Sequence, residues 1–245
     1  MKRTFEFISL LILSSCIAPK SGLIEEPKHD GRDYIKHFAY SLLYNETNEQ
    51  ADWVSYQLLA SELAPNFERT DKFLVDTMVL TGSADNSDYK NSGYDKGHLA
   101  PAADMAWNEQ AMKESFYFSN ISPQLPGFNR GIWKKLEEKV RDWAKIYEVI
   151  YVTTGPICDQ STKTIGDNAV MIPTHFYKTI LIYNDSIKQS IGFVFPNEKC
   201  EGEIFDYAAA VDSLELITGK DFYFALPDRH EKMIEKEVDL SFWIK

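Results

Sequence analysis

The chain has 245 residues, of which 44% are hydrophobic and 13% aromatic, so it can bury a sizeable core and is not an intrinsically disordered protein. Its formal net charge is −11 at pH 7. An acidic chain repels nucleic-acid phosphates at long range, so composition alone argues against a general nucleic-acid-binding protein. Any such function would need a local basic site.

The N-terminal residues have the pattern of an export signal. The basic start Met1–Arg3 precedes the apolar run Phe7–Leu13, which is far shorter than the ~20 residues that span a bilayer. The next letters, LSSC, resemble the lipobox of bacterial lipoproteins, in which Cys16 would carry the lipid and attach the protein to a membrane. An ordinary signal peptide with a chance cysteine is the alternative.

The segment over residues 17–33 contains Pro, Gly and mixed charges with little apolar periodicity, as in a linker. We therefore predict a lipoprotein signal peptide over residues 1–15, a tether over 16–33 and one globular domain over 34–245. The protein would be exported to the cell envelope, on the periplasmic side or at the cell surface.

Two cysteines lie in the predicted domain, Cys158 and Cys200. Export would place them in an oxidising compartment, so we expect a disulfide between them. Two free, buried thiols are the alternative.

The domain mixes predicted strands and helices without a regular alternation. The strands are Trp53–Ala60, Glu148–Ile157, His175–Tyr183 and Ser190–Asn197. The predicted helices are Asn108–Phe118, Arg130–Tyr147 and Tyr207–Lys220. Asn108 would cap the first helix, and Gly219 lies near the end of the third. The second helix has an apolar stripe made of Ile132, Trp133, Leu136, Val140, Trp143 and Ala144. This order predicts an α+β fold with a mixed central sheet and flanking helices.

A lone histidine, His98, lies within GYDKGHLAPAADM, residues 93–105. Histidine is the side chain whose free pKa lies nearest neutrality, so it can accept a proton from water. A satisfied buried histidine is the alternative. Gly97 allows a backbone bend or a close approach, and Asp95 would either orient the histidine or cap a local turn.

Three segments, in order between residues 94 and 141, resemble the signature blocks of the DNA/RNA non-specific endonucleases. They are YDKGHLAPAADM, FSNISPQ and FNRGIWKKLEEKVR. This family belongs to the ββα-metal nucleases and includes mitochondrial endonuclease G. Looser similarity, such as IPTHFYK, extends over most of residues 50–228. The resemblance implies a ββα-metal active-site core and metal-dependent hydrolysis of DNA, RNA or both.

The resemblance assigns roles at the matching positions. His98 would be the general base, and Asn129 would bind the metal, Mg²⁺ or alternatively Mn²⁺. A neutral carboxamide oxygen suits Mg²⁺, which keeps several waters and needs few protein ligands. Glu137 and Arg141 match the family's following acidic and basic residues. Glu137 would lie ~12 Å along an ideal helix from Asn129. We therefore expect Glu137 to hold metal-bound water, and Asn129 to lie outside the regular helix.

Three further residues complete the candidate site. Asn120 matches the asparagine of the second block and would support the site by hydrogen bonding. Lys96 stands where the family usually has arginine, which keeps the charge but loses a planar contact to phosphate. Arg69 lies at roughly the family distance for an arginine that contacts phosphate. We count Arg69 and Asn120 with the catalytic residues, and Lys96, Arg69 and Arg141 as substrate-binding.

Each of these residues also has an ordinary structural interpretation. Arg69 and Lys96 would be surface cations, Asn120 a turn residue and Asn129 a helix cap. Glu137 and Arg141 would form an i,i+4 pair on a solvated helix face.

We therefore predict a secreted, metal-dependent endonuclease. A non-catalytic surface lipoprotein of the same fold, which binds nucleic acid or a protein partner, is the first alternative, and a phosphodiesterase for a small substrate is the second. Because the net charge is −11, a nuclease of this composition should have a narrow basic groove on an otherwise acidic surface. An elongated basic groove would favour nucleic acid, and a closed pocket would favour the small substrate.

Overall fold

The computed structural model of the chain describes residues 22–159 and 161–244. The predicted signal peptide, Cys16 and the first part of the predicted tether lie outside the described residues. Within the described ranges, every helix is too short or too polar to cross a bilayer.

Strands dominate the described part of the chain. They are β1 (Tyr34–Lys36), β2 (Ser41–Asn45), β3 (Gln50–Leu59), β4 (Asp95–His98), β5 (Ile121–Gln124), β6 (Val149–Ile157), β7 (Thr164–Ile165), β8 (Val170–Met171), β9 (His175–Tyr183), β10 (Lys188–Pro196) and β11 (Ala208–Ala209). Among the described residues, seven of them form one sheet in the order β1-β2-β3-β6-β9-β10-β11. Strand β4 pairs with β5, and β7 pairs with β8, in two small separate sheets.

All neighbouring strands of the large sheet run antiparallel. The predicted α+β class is confirmed, but the sheet is antiparallel and not mixed as expected. Short turns over residues 46–49 and 184–187 join β2 to β3 and β9 to β10, and a turn of this length can only join antiparallel strands. For the longer connections, the succession of strands and helices along the chain does not reveal strand direction.

The helices are short, apart from one. They are α1 (Asn86–Tyr89), α2 (Glu109–Ser115), α3 (Pro126–Phe128), α4 (Lys134–Tyr147), α5 (Val211–Thr218), α6 (Asp228–Glu235) and α7 (Leu240–Trp243). A π-helical turn, Asn129–Trp133, joins α3 to α4. As predicted, the side chain of Asn108 caps α2 by accepting from the N–H groups of Gln110 and Ala111 at 2.8 and 3.2 Å. Helix α5 ends at Gly219, whose φ of 66° is the left-handed conformation that glycine adopts readily.

Helices cover both faces of the large sheet. The predicted apolar stripe of α4 is buried and joins one core cluster with Phe176 and Ile180 of β9. The alternate residues of β9, Tyr177 and Leu181, join a second cluster with α5 and α6. We call these two sides the α4 face and the α5/α6 face. The period of two along β9 therefore supplies side chains to both cores.

The end of the predicted tether contacts the domain. Glu26 is buried, and its Oε1 accepts hydrogen bonds from the hydroxyls of Tyr34 at 2.7 Å and Ser41 at 2.6 Å. The N–H of Lys28 donates to the carbonyl of Asp221 at 2.8 Å. The packed domain therefore begins before the predicted boundary at residue 34.

The predicted disulfide is wrong, because Cys158 and Cys200 are free thiols. Cys158 directly follows β6, and Cys200 follows β10. Strand β9 lies between these two strands, so the ends of β6 and β10 from which the cysteines follow are about two strand spacings, or ~10 Å, apart. A disulfide requires Cα atoms within ~7 Å.

Candidate active site

The segment around His98 forms an antiparallel pair with the segment that follows α2. His98, the last residue of β4, pairs with Ile121 of β5. The next long helix is α4, so β4, β5 and α4 make up a ββα unit. A Cβ on Gly97 would lie 2.2 Å from Cδ of Gln124, which explains glycine before the histidine as a requirement for close approach.

An open cleft of about 500 Å³ lies beside this unit. Its lining residues are Arg69, Lys96, His98, Pro101, Ala102, Ala103, Asn129, Arg130, Lys134, Glu137 and Arg141. The cleft thus gathers all the predicted site residues except Asn120. Five of its side chains are basic Lys or Arg and one is acidic, so the chain does carry the predicted local basic site.

His98 is held between aromatic rings at the back of the cleft. It is only 8% exposed, and the ring of Phe116 meets it edge-on at 4.9 Å between centroids. Its Nε2 atom is buried and has no hydrogen-bond partner among the described residues. Burial, followed by the positive charge of Arg69, lowers the pKa of His98 to about 3. The ring is therefore neutral at pH 7, and one of its nitrogens is unprotonated.

Asn129 lies outside the regular helix, as predicted. The backbone breaks at Gly131, with φ −102° and ψ −112°, before α4 begins. The Nδ2 group of Asn129 donates to Oδ2 of Asp95 at 2.9 Å. A carboxylate only accepts, so this bond fixes the carboxamide and leaves its carbonyl oxygen available as a ligand. Asp95 therefore orients Asn129, which neither of the two roles considered for it had anticipated.

Arg130 holds Asp95 in this position. Its Nε donates to Oδ2 at 2.8 Å and its Nη2 to Oδ1 at 2.5 Å, in a bidentate pair. Such a planar pair fixes the carboxylate better than a single contact would. The sequence motifs predicted no site role for Arg130, although this residue follows Asn129 directly.

Glu137 and Arg141 project from α4 toward the same cleft. The Nη1 group of Arg141 donates to Oδ1 of Asp104 at 2.8 Å, and the Tyr56 hydroxyl donates to Oδ2 of the same carboxylate at 2.8 Å. Asp104 is fully buried, so it anchors Arg141 from behind. Glu137 is half-buried, and this burial raises its pKa to about 7, while Lys178 and Arg141 act against the rise.

Lys178 is a buried cation that the sequence analysis missed. The residue is fully buried on β9, on the α4 face of the sheet, and its Nζ lies 4.7 Å from the centroid of the Trp133 ring. Burial lowers its pKa to about 8, and the charges of Glu137 and Asp104 act in the opposite direction. Its one signal in the sequence was the segment IPTHFYK, which ends at Lys178.

Arg69 and Lys96 border the cleft on the side of His98. Nε of Arg69 pairs with Oδ1 of Asp71 at 2.6 Å. Nζ of Lys96 donates to Oδ1 of Asn86 at 2.8 Å and lies 4.1 Å from the centroid of the Phe73 ring. Both cations are held by neighbours while they line the cleft.

Asn120 is fully buried and does not line the cleft. Its Oδ1 accepts from the N–H of Ala100 at 2.8 Å, and its Nδ2 donates to the carbonyl of Ala100 at 2.9 Å. Asn120 therefore holds the backbone just after His98. The predicted supporting role fits these contacts, but a direct catalytic role does not.

Residues 22–229 match the family model for DNA/RNA non-specific endonucleases. The chain belongs to this family. It is 32% identical over 196 residues to mitochondrial endonuclease G of Bos taurus, covering 74% of this chain and 66% of that protein. It is 30% identical over 226 residues to the mitochondrial nuclease of Saccharomyces cerevisiae, covering 82% of this chain and 69% of that protein.

A solved structure described as an EndoG/EndoGI complex has the same fold. It superposes with a TM-score of 0.76 at 31% identity, covering 81% of this chain and 88% of that one. The chain spans about two thirds of the length of its bovine and yeast relatives, at 66% and 69%. These relatives are nucleases by name, which supports a nuclease of the endonuclease G type.

The donor set in the cleft fits a divalent cation. Asn129 presents a carboxamide oxygen oriented by Asp95, and Glu137 adds a carboxylate lining the same cleft. Hard oxygen donors in small number suit Mg²⁺ or Mn²⁺, which keep much of their hydration.

Proposed function

We propose that this protein is a metal-dependent endonuclease that hydrolyses phosphodiester bonds of DNA, RNA or both without sequence specificity. The observation that carries the proposal is a basic cleft that brings His98, whose ring is kept neutral by burial, together with Asn129, Glu137 and Arg141. A neutral imidazole that lines a cleft beside an oriented Asn129 can accept a proton from water there.

His98 would act as the general base. Its imidazole would accept a proton from the water that attacks phosphorus, since burial keeps the ring neutral at physiological pH. A divalent cation, when bound, supplies positive charge to the phosphate and to the departing 3′ oxygen. Asn129 would hold that cation through the carbonyl oxygen that Asp95 leaves available.

The remaining residues would position the substrate and balance its charge. Arg141, held from behind by Asp104, would contact the phosphate as negative charge develops. Arg69 and Lys96 would contact neighbouring phosphates along the cleft. Glu137 would hold water at the cation, as a half-buried carboxylate on the same side of α4.

The form and charge of the cleft favour this proposal over both alternatives. A small-substrate phosphodiesterase would be expected to enclose its ligand, whereas this cleft is open and lined by five basic side chains. A non-catalytic binding protein would not require His98, Asn129, Glu137 and Arg141 together in one cleft. The basic cleft also meets the objection that the net charge of −11 raises.

The decisive experiment compares nuclease activity of the purified domain and of a His98→Ala variant. Plasmid DNA and RNA are incubated with Mg²⁺, with Mn²⁺ or with EDTA. We expect His98→Ala to lower the rate ~10²–10⁴-fold, as for the loss of a general base. His175→Ala, at an exposed histidine on β9, is the matched control and should retain activity. Equal cleavage by His98→Ala, or undiminished cleavage in EDTA, would contradict the proposal.

We further propose that the protein is exported and attached to a membrane through a lipid on Cys16. The support is the short apolar run Phe7–Leu13 followed by LSSC. Cell fractionation tests this proposal: wild type should partition with membranes, and Cys16→Ala should not. Membrane association that persists in Cys16→Ala would exclude the lipid anchor.

A further inference from the structure

An acidic cluster lies on the α5/α6 face, on the opposite side of the sheet from the cleft. Asp212 and Glu215 come from α5, three residues apart on one side of the helix, and Glu235 is the last residue of α6. One carboxylate oxygen from each lies within 4.8 Å of the others. Asp212 is exposed, Glu215 half-buried and Glu235 buried, so the cluster extends from the surface inward.

The buried member of the cluster lacks a partner. Glu235 is only 4% exposed, and its Oε1 atom has no hydrogen-bond partner within the described part of the chain. Buried carboxylates in proteins are paired, hydrogen-bonded or bound to a metal. An unpartnered oxygen beside two further carboxylates is therefore an independent sign of a cation site.

The positions of α5 and α6 are fixed by the sheet beneath them. A Cβ on Gly192 of β10 would lie 2.8 Å from the Cδ atoms of Leu214, so α5 packs directly on the strand. The hydroxyl of Ser190, also on β10, donates to the carbonyl of Ile234, next to Glu235. The carboxylates are therefore brought together by packed elements and not by mobile loops.

We propose that Asp212, Glu215 and Glu235 form a second divalent-cation site, which binds Ca²⁺ and ties the end of α6 to α5. Oxygens that bind one Ca²⁺ ion lie within ~5 Å of one another, and one oxygen from each of these carboxylates lies within 4.8 Å of the others. Calcium also accepts several carboxylates with water, which the exposed Asp212 side admits.

This site is separate from the activity proposed above. The match to the family ends at residue 229, so Glu235 lies beyond it. Glu215 already accepts the N–H of Phe222 through Oε1 at 2.8 Å, which orients its carboxylate. Binding of Ca²⁺ at this place would stabilise the protein without contributing to the cleft.

Thermal unfolding with CaCl₂ or EDTA tests the proposal. All proteins carry Asn129→Ala, so that binding in the cleft does not contribute. At Ca²⁺ a hundredfold above its Kd, we expect the melting temperature of this background to rise by about 5–10 °C. Adding Glu235→Gln should abolish the rise, whereas adding Glu237→Gln, at an exposed neighbouring acid, should preserve it.

Asp212→Asn provides a second variant at an exposed position, in case Glu235→Gln fails to fold. It should weaken Ca²⁺ binding at least about tenfold in calorimetry, which for the background should report one ion per chain. A calcium-induced rise that survives in Glu235→Gln, or an undiminished rise in Asp212→Asn, would overturn the assignment. So would the absence of any rise in the background. Nuclease activity of the Glu235→Gln variant with Asn129 intact should match wild type, whatever the outcome of the tests on the cleft.

Discussion

Among the described residues, each face of the sheet buries a polar atom that has no hydrogen-bond partner, but the surroundings of the two atoms are opposite in charge. On the α4 face, Nε2 of His98 lies beside a cleft lined by five basic side chains. On the α5/α6 face, Oε1 of Glu235 lies among carboxylates. The net charge of −11 conceals this separation, because it averages over both faces. Local potential, and not total charge, therefore decides what each face can bind.

The largest difference between the two faces should appear in the free energy of unfolding when an acidic residue on each face is replaced by its amide. Asp104→Asn removes the buried partner of Arg141, so we expect the free energy of unfolding to fall by about 3 kcal/mol. Glu235→Gln removes a carboxyl group whose pKa is raised by burial and then by four neighbouring acids, so in EDTA its stability should equal or exceed that of wild type. Urea unfolding at pH 7 measures both effects.

Asp142→Asn is the control for this contrast. Asp142 is exposed and pairs with Lys145 at 3.0 Å, and surface pairs of this kind contribute little to stability. If Asp104→Asn were as stable as Asp142→Asn, then the buried anchor of Arg141 would not hold the cleft together. A large loss of stability for Glu235→Gln in EDTA would show that the cluster is compensated.

The faces should also respond to pH in opposite directions. The pKa of His98 is lowered from 6.5 to about 3, so the unfolded chain binds a proton that the native protein excludes. Its contribution to stability is complete above pH 6.5 and is lost as pH falls toward 3, by about 2 kcal/mol between pH 7 and pH 5. The pKa of Glu235 is raised to about 9, so its contribution is complete below pH 4.5 and is lost as pH rises through 9.

Unfolding in EDTA at several pH values separates these two contributions. His98→Gln should remove part of the loss on the acidic side, and Glu235→Gln part of the loss on the alkaline side. If His98→Gln showed the same acidic loss as wild type, the histidine would not be held neutral by burial. An unchanged alkaline loss in Glu235→Gln would mean that other groups dominate there.

The sequence predicted most of the residues that line the cleft, but it did not predict the buried residues that contact and position them. His98, Asn129, Glu137 and Arg141 were recognised because they lie in short, ordered blocks. Asp104 and Lys178 were missed, although both lie in segments already noted, because their contacts form only when the loop after β4 and strand β9 meet α4.

Neither of the two roles considered for Asp95 is the one observed, for a similar reason. It is near His98 along the chain, but its carboxylate bonds to Asn129, 34 residues later. The expected disulfide failed because cysteine spacing gives no information about the strand that lies between Cys158 and Cys200. Long-range geometry of this kind follows from sheet order, which one sequence does not encode in any local pattern.

The smallest expected effect concerns Lys96, where the family usually has arginine. Its ammonium is held by Asn86 and the Phe73 ring, so it is positioned as a point charge at the edge of the cleft. We expect Lys96→Ala to weaken DNA binding several-fold at low salt and to reduce the slope of log affinity against log salt by ~0.7–0.9, the value for one phosphate contact.

Fluorescence anisotropy with labelled DNA in EDTA measures this effect without cleavage. Lys232→Ala, at an exposed lysine of α6 on the other face, is the control and should leave affinity and slope unchanged. Lys96→Arg should retain the wild-type slope, because the charge remains, and should bind more tightly if a planar donor reaches the phosphate. An equal loss in Lys96→Ala and Lys232→Ala would mean that DNA senses overall charge and not the cleft, and the contrast between the faces would then have no bearing on binding.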